Sequence, residues 1–237
     1  MTLAVQTSTQ RATVVPTGDD VHIWTVRHDD SQSEDEDARR VLSESEIAQF
    51  SSFKNPRQRV QRIHARAALR HILSSYLNTH PARLAVHIGF YGKPLVVGLH
   101  FNCSHAPSLT LIAVAAQPVG VDIEPVRSCA DIDAIRHRFI NEAESCDIAA
   151  MSPGPASIEL LRLWVVKEAC LKAIGVGLTA DPRELCVRRA MSAAVDVHRG
   201  TDTMRAQLLP ISGTHAAAVA ARAIDRVVVH DEGPSRS

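Results

Sequence analysis

Two helical stretches, each set among short strands, constrain this chain more than any other feature: Pro56 to Leu77 and Ile158 to Ile174. In the first, Val60, Ile63, Ala67, Leu73 and Leu77 form one apolar stripe, and Pro81 stands just past its end. The second stops at Gly175-Val176-Gly177. A helix with one apolar stripe must bury it against another layer. The strands to supply that layer alternate or run apolar between turn signals: 21–26, 85–88, 95–97 and 109–115, then 119–123, 185–189, 194–198, 204–209, 215–221 and 226–229. The chain thus reads strand, helix, meander, and then the same plan again after Gln117-Pro118. The expectation is an α+β protein of two related subdomains, 21–117 and 118–230, with a loose N-terminus over 1–20 and a disordered tail over 231–237. A chain of 237 residues can hold one sizeable core or two small halves sharing an interface.

Composition excludes several classes. Lys plus Arg and Asp plus Glu both number 26, so a wholesale polyanion binder is not expected and any anion site must be local. Five Cys with no C-x-x-C pair do not make a disulfide framework and fit a reducing compartment. The first fifteen residues lack the apolar core of a secretory signal. No apolar run approaches the roughly 20 residues of a membrane span. The reading is a soluble, cytoplasmic protein.

Four clusters carry candidate chemistry. In Asp122-Ile123-Glu124, strand spacing puts both carboxylates on one face and Ile123 on the other. Two such acids repel and need a cation between them, although D-x-E also suits a strand end with two solvated acids. On the second long helix, Trp164, Glu168 and Lys172 recur every four residues and share a face. On the first, Arg59, Arg62, Arg66 and Arg70 form a basic stripe, with no acid between Lys54 and His71. That stripe suits a phosphate ligand or an acidic partner. It also suits pairing with the acidic segment Glu34–Glu46. Phe101-Asn102-Cys103-Ser104-His105 precedes a strand, with Ser104 and His105 as anion donors near a turn and Asn102 shaping the loop. Adjacent side chains diverge on extended backbone, so Ser104 and His105 are not a nucleophile–base pair.

The order of these clusters is more specific than any one of them. R-x-x-A-R-x-x-L-R (Arg62–Arg70), G-K-P (Gly92–Pro94), F-N-x-S-H (Phe101–His105), G-V-D-I-E (Gly120–Glu124) and W-x-x-K-E-A-x-x-K-x-x-G-x-G-L (Trp164–Leu178) together resemble the Sfp-type 4′-phosphopantetheinyl transferases. The resemblance covers residues 40–180. It implies two α+β halves related by a pseudo-twofold, with coenzyme A in the cleft between them. The implied reaction moves the phosphopantetheine arm to a Ser of an apo acyl or peptidyl carrier protein and releases adenosine 3′,5′-bisphosphate.

By the same resemblance, Asp122, Glu124 and Glu168 hold Mg²⁺ or Mn²⁺ against the pyrophosphate. Glu168 is also the candidate general base for the carrier Ser, directly or through a bound water. Lys172 contacts the pyrophosphate. Ser104 and His105 meet the coenzyme A phosphates, with Lys93 and one or more of Arg59, Arg62 and Arg66 completing the clamp. Lys167 has no assigned role. Phe139-Ile140 departs from the Phe-Phe that family members often carry there, which bears on carrier preference. The expected molecule is a monomer acting on coenzyme A and a carrier protein, with no nucleic-acid or membrane partner. The competing readings are a non-catalytic coenzyme A or nucleotide module, and a nucleic-acid binder using the Arg stripe.

Overall fold

The structure is a computed structural model that describes residues 5–8, 14–28, 36–126, 129–176, 180–187, 193–211 and 213–232. The first half runs β1 (Val5–Ser8), β2 (Asp20–Arg27), α1 (Glu36–Arg40), α2 (Glu44–Ser51), α3 (Pro56–Leu77), β3 (His87–Ile88), β4 (Pro94–Leu95), β5 (His100–Ala106) and β6 (Leu109–Ala115). The second runs β7 (Val119–Pro125), α4 (Cys129–Ile135), α5 (Glu142–Ala149), α6 (Pro153–Ile174), β8 (Cys186–Val187), β9 (Ala194–Arg199), β10 (Asp202–Leu208), β11 (His215–Ala221) and β12 (Arg226–Glu232). No described helix is long and apolar enough to cross a membrane.

Local chemistry sets the helix ends. The Ser43 hydroxyl and Glu46 carboxylate close a capping box at the start of α2. The Asn55 side chain accepts from the amides of Arg57 and Gln58 ahead of Pro56, and α3 ends where Asn78 turns left-handed at φ 46°. The second long helix follows the same rules. Pro153 opens α6, and Gly175 closes it at φ 83°, its amide bonding back to Leu171 O. Ser152-Pro153-Gly154-Pro155, which punctuates the sequence like a loop, is the first turn of α6, because a proline at the first helical position costs no hydrogen bond. Both helices reach 22 residues, so each spans the full height of a sheet.

Four layers result. One sheet has the order β1-β12-β2-β6-β5 and the other β7-β11-β10-β9-β8. Alternation decides what each face buries. From the first sheet, Trp24, Phe101, Ile112 and Val114 pack on Leu69, Ile72, Leu73 and Tyr76 of α3. Val21, Ile23, Ala113 and Val227, on its opposite face, meet Val119, Val121, Ile123, Ala217 and Val219 of the second sheet. The outer face of the second sheet buries α6 through Val195, Val197 and Ala218 against Leu163, Val166 and Ala169. The order is therefore α3, sheet, sheet, α6.

Three expectations are corrected. Val5–Ser8 pairs with β12 in parallel, so the segment read as loose holds a strand. The C-terminal strand does not close the second half: β12 pairs in parallel with β2, and it continues to Glu232, inside the stretch read as a disordered tail. The strand at 226–229 was legible, but its sheet was not, because pairing over two hundred residues leaves no local trace. Phe101–His105 is part of β5, a full strand paired with β6, and not a turn. Residues 1–4, 9–13 and 233–237 of the expected termini lie outside the described residues, as do Gly177 and Leu178 of the signature.

Two interior features make testable demands. A Cβ at Gly120 would lie 2.0 Å from Ala169 O and 2.4 Å from Ala173 N, so β7 and α6 touch backbone to backbone. Gly120→Ala therefore forces the helix off the sheet, and a loss of about 3 kcal/mol in urea unfolding is expected; an unchanged midpoint would contradict the close approach. His22 bonds Tyr76 Oη through Nδ1 at 2.7 Å. Burial, the neighbouring His230 and Arg226 hold its pKa down to about 4, against an opposing pull from Asp20. The unfolded chain thus takes up this proton first as pH falls. Stability should be full above pH 6.5 and decline toward pH 4. Unfolding scans across that window should show a shallower decline in His22→Gln; an identical slope would remove His22 from it.

Candidate active site

The site lies where the edge strands of the two sheets meet. β5 ends one sheet and β7 ends the other, and edge strands carry unpaired amides. Side chains satisfy them here. Asn102 Oδ1 accepts from Val121 N at 2.9 Å, and Ser104 Oγ accepts from Ile123 N at 3.3 Å. Residues i and i+2 on a strand share a face, so F-N-x-S-H presents Asn102 and Ser104 together as a seam. Asn102, expected as a turn residue, is buried and holds the two sheets in register. Leaving such an amide buried and unpaired costs about 1–3 kcal/mol.

On one side of this seam stand the acids. Asp122 is buried, and its Oδ1 receives Ser104 Oγ at 2.8 Å and Lys172 Nζ at 2.5 Å. Lys172 Nζ also donates to Ser104 Oγ at 3.2 Å, which uses all the bonding capacity of that hydroxyl. Burial, then the Asp122 charge, raises the Glu124 carboxyl. Glu168 is raised to about 6 by burial first, with Asp122 and Glu124 adding to the shift and Lys172 opposing it. The three carboxylates therefore feel one another, because G-V-D-I-E is pressed against W-x-x-K-E-A by the Gly120 contact.

Part of this set suits a divalent cation. Asp122 Oδ2 and Glu168 Oε1 are buried without a hydrogen-bond partner. Two orphaned carboxylate oxygens beside a third acid are hard-oxygen donors of the kind Mg²⁺ takes. They do not form a closed cage: among the described residues, no group of three or more His, Cys, Asp or Glu is gathered for a metal. Lys172 holds the Asp122 charge in its place. The residues fit a cation that brings its remaining ligands from water and phosphate.

On the other side stand the bases. His105 points to the α3 face, the side opposite Ser104, and its Nδ1 lies 2.8 Å from Thr110 Oγ1. Crowding by protein, then the charges of Arg62, His28, Arg66 and Lys172, push its pKa down to about 3. Cys103, one strand position from Ser104, is raised to about 12 by burial, against the pull of Arg66 and Lys172. Desolvation also lowers Arg62. Arg62, Arg66, His105 and Lys172 thus converge on one region. The rest of the Arg stripe divides. Arg70 is buried, bonds Glu46 at 2.8 Å and reaches the carbonyls of Pro81 and Leu84. Arg66 also lies 3.5 Å from Glu46. The sequence left a choice between an anion and pairing with the acidic segment; Arg66 and Arg70 make the second kind of contact, both with Glu46. Arg59 stands one turn before Arg62, toward the N-terminus of α3.

Two lysines are placed elsewhere. Lys93, expected in the phosphate clamp, donates to Val119 O, Lys172 O and Ala173 O at 3.0, 2.6 and 3.4 Å. Its ammonium caps the end of α6, and burial lowers its pKa to about 8. Lys167 is wholly buried, 2.6 Å from Glu144 and 2.7 Å from Phe139 O. Glu144 also accepts from Val187 N, so this pair binds α5, α6 and β8 together. Sequence reasoning missed Glu144 and Thr110. The capping pattern Asn141-x-x-Glu144 was visible, but it explains the helix end and gives no sign of the ion pair.

Comparison with known proteins identifies the family. A profile of the 4′-phosphopantetheinyl transferase superfamily matches residues 118–220. The 4′-phosphopantetheinyl transferase HetI of Nostoc is 32% identical over 167 residues, covering 68% of this chain and 70% of that protein. A Bacillus subtilis 4′-phosphopantetheinyl transferase is 34% identical over 111 residues, covering 46% of this chain and 49% of that protein. The 4′-phosphopantetheinyl transferase Sfp of the same species is 27% identical over 173 residues, 67% and 76% of the two chains. With the signature motifs meeting at one seam and relatives that match most of its length, this chain belongs to the 4′-phosphopantetheinyl transferase superfamily.

Proposed function

We propose that this transferase takes the 4′-phosphopantetheine arm of coenzyme A and places it on a Ser hydroxyl of an apo acyl or peptidyl carrier protein, leaving adenosine 3′,5′-bisphosphate. The observation that carries this reading is the division of charge across the β5–β7 seam. Orphaned oxygens of Asp122 and Glu168 lie on one side, and Arg62, Arg66 and His105 gather on the other. Few substrates need a cation site and a phosphate clamp so close together; a pyrophosphate with a further phosphate does.

Arg62 and Arg66 would hold the outlying phosphate as a permanent positive clamp. His105 would add a hydrogen bond to that phosphate. Asp122, Glu124 and Glu168 would hold Mg²⁺ or Mn²⁺, which would supply charge neutralisation on the pyrophosphate oxygens. Lys172 would exchange Asp122 for a phosphate oxygen, placing its charge where the leaving phosphate gains electrons. Ser104, freed from Lys172, would keep Asp122 oriented. Glu168 Oε1 would accept the proton of the carrier Ser as its oxygen attacks phosphorus, an alternative to metal ligation at the same side chain.

The same reading extends to architecture. The two long helices, each 22 residues and each covering one sheet of a back-to-back pair, support two subdomains related by a pseudo-twofold, divided near 117/118 with β12 returning to the first. Both sides of the site come from one chain, which supports a monomer as the working unit. Lys93 supports the site by anchoring the end of α6, and so the position of Lys172, in place of the direct phosphate contact first expected.

Two experiments test this. Asp122→Asn and Glu168→Gln should each lower kcat/KM for carrier modification by about 10²–10³ while leaving the far-UV spectrum unchanged; normal turnover in either would overturn the acid assignment. His105→Ala should raise KM for coenzyme A more than for its 3′-dephospho analogue. Equal effects on both would take His105 off the outlying phosphate.

A further inference from the structure

Thr110 is fully buried in the middle of a three-strand row. In register it sits opposite His105 of β5 on one side and Val26 of β2 on the other, with His28 just past the end of β2. Its Oγ1 lies 2.8 Å from His105 Nδ1 and 2.8 Å from His28 Nε2. A hydroxyl has one proton, so it can donate to only one of these imidazoles and must accept from the other. The two tautomers are therefore linked. If Thr110 donates to His105 Nδ1, the proton of His105 is on Nε2, and His28 carries its own on Nε2 facing Thr110. If Thr110 accepts from His105, then His105 Nε2 is a bare lone pair.

We infer that Thr110, backed by His28, is a positioning residue that holds His105 as the Nε2–H tautomer whenever an anion lies against it. This inference rests on the phosphate reading of His105 above. The environment makes the tautomer matter. Desolvation, then the charges of Arg62, His28, Arg66 and Lys172, favour the neutral imidazole of His105. A neutral imidazole helps a phosphate only if the nitrogen facing it carries the proton; the other tautomer presents one lone pair to another. Thr110 couples that choice to His28: with an anion at His105 Nε2, Thr110 donates to Nδ1 and accepts from His28 Nε2, so the Nε2–H tautomer keeps every bond. A valine of the same shape would fill the space but would let both imidazoles reorient.

The test combines spectroscopy with kinetics on the full chain. With adenosine 3′,5′-bisphosphate bound, ¹⁵N imidazole spectra should show His105 protonated at Nε2 and bare at Nδ1, its signal assigned by loss in His105→Ala. Thr110→Val should mix the tautomers and raise KM for coenzyme A about fivefold, the factor that one net hydrogen bond contributes. Thr110→Ser should restore both. The KM effect should be absent with the 3′-dephospho analogue and in a His105→Ala background. A bound wild-type His105 protonated at Nδ1, or a Thr110→Val effect of equal size in the His105→Ala background, would overturn the inference. If His105→Ala leaves coenzyme A binding unchanged, the phosphate reading itself fails. If His105→Ala weakens binding but Thr110→Val does not, only the positioning role of Thr110 fails.

Discussion

Everything at the site depends on how two edge strands are kept together without pairing as a sheet. β5 and β7 approach closely, yet no ladder joins them; Asn102 and Ser104 reach across and take the amides of Val121 and Ile123. A regular ladder would have used these amides for structure and left no room for side-chain chemistry between the sheets. A gap filled with water would have left the two halves free to slide. Side-chain stitches avoid both, and because they fall on alternate residues, the intervening Cys103 and the following His105 are turned toward α3.

The second constraint is the contact of β7 with α6. Gly120 lets the helix backbone come against the strand, and that distance sets the reach of Glu168 and Lys172 toward Asp122. Lys93 and Lys167 then hold the helix at its end and its middle through carbonyls and a buried carboxylate. Removing one member of the buried Lys167–Glu144 pair would leave an uncompensated charge and cost ~3–5 kcal/mol. Within that frame Lys172 neutralises Asp122.

Much of this was legible in the sequence because it is local. The capping box at Ser43 and Glu46, the Pro56 start, and the four-residue spacing of Trp164, Glu168 and Lys172 all follow from rules that act over a few residues, whereas the two prolines of 152–155 read as a loop and hid the first turn of α6. The same spacing rules failed where a residue's partner is distant. Arg70 looks like its neighbours Arg62 and Arg66 until Glu46 folds over it. Lys93 reads as a turn lysine until α6 arrives, 79 residues later, to be capped. The sheet to which Arg226–Glu232 belongs is fixed by pairing with β2, which no window along the chain contains. Thr110 has no motif at all: its importance comes from standing between two histidines contributed by different strands.

The central claim is that the seam brings a cation site and a phosphate clamp to one substrate. The most direct measurement is the intact mass of apo carrier proteins after incubation with this protein, coenzyme A and Mg²⁺, each reaction repeated with chelator. The account predicts a gain of one phosphopantetheinyl group on at least one carrier, abolished when the metal is removed. Modification that proceeds equally well under chelation would contradict the cation site, and no modification of any acyl or peptidyl carrier would contradict the function.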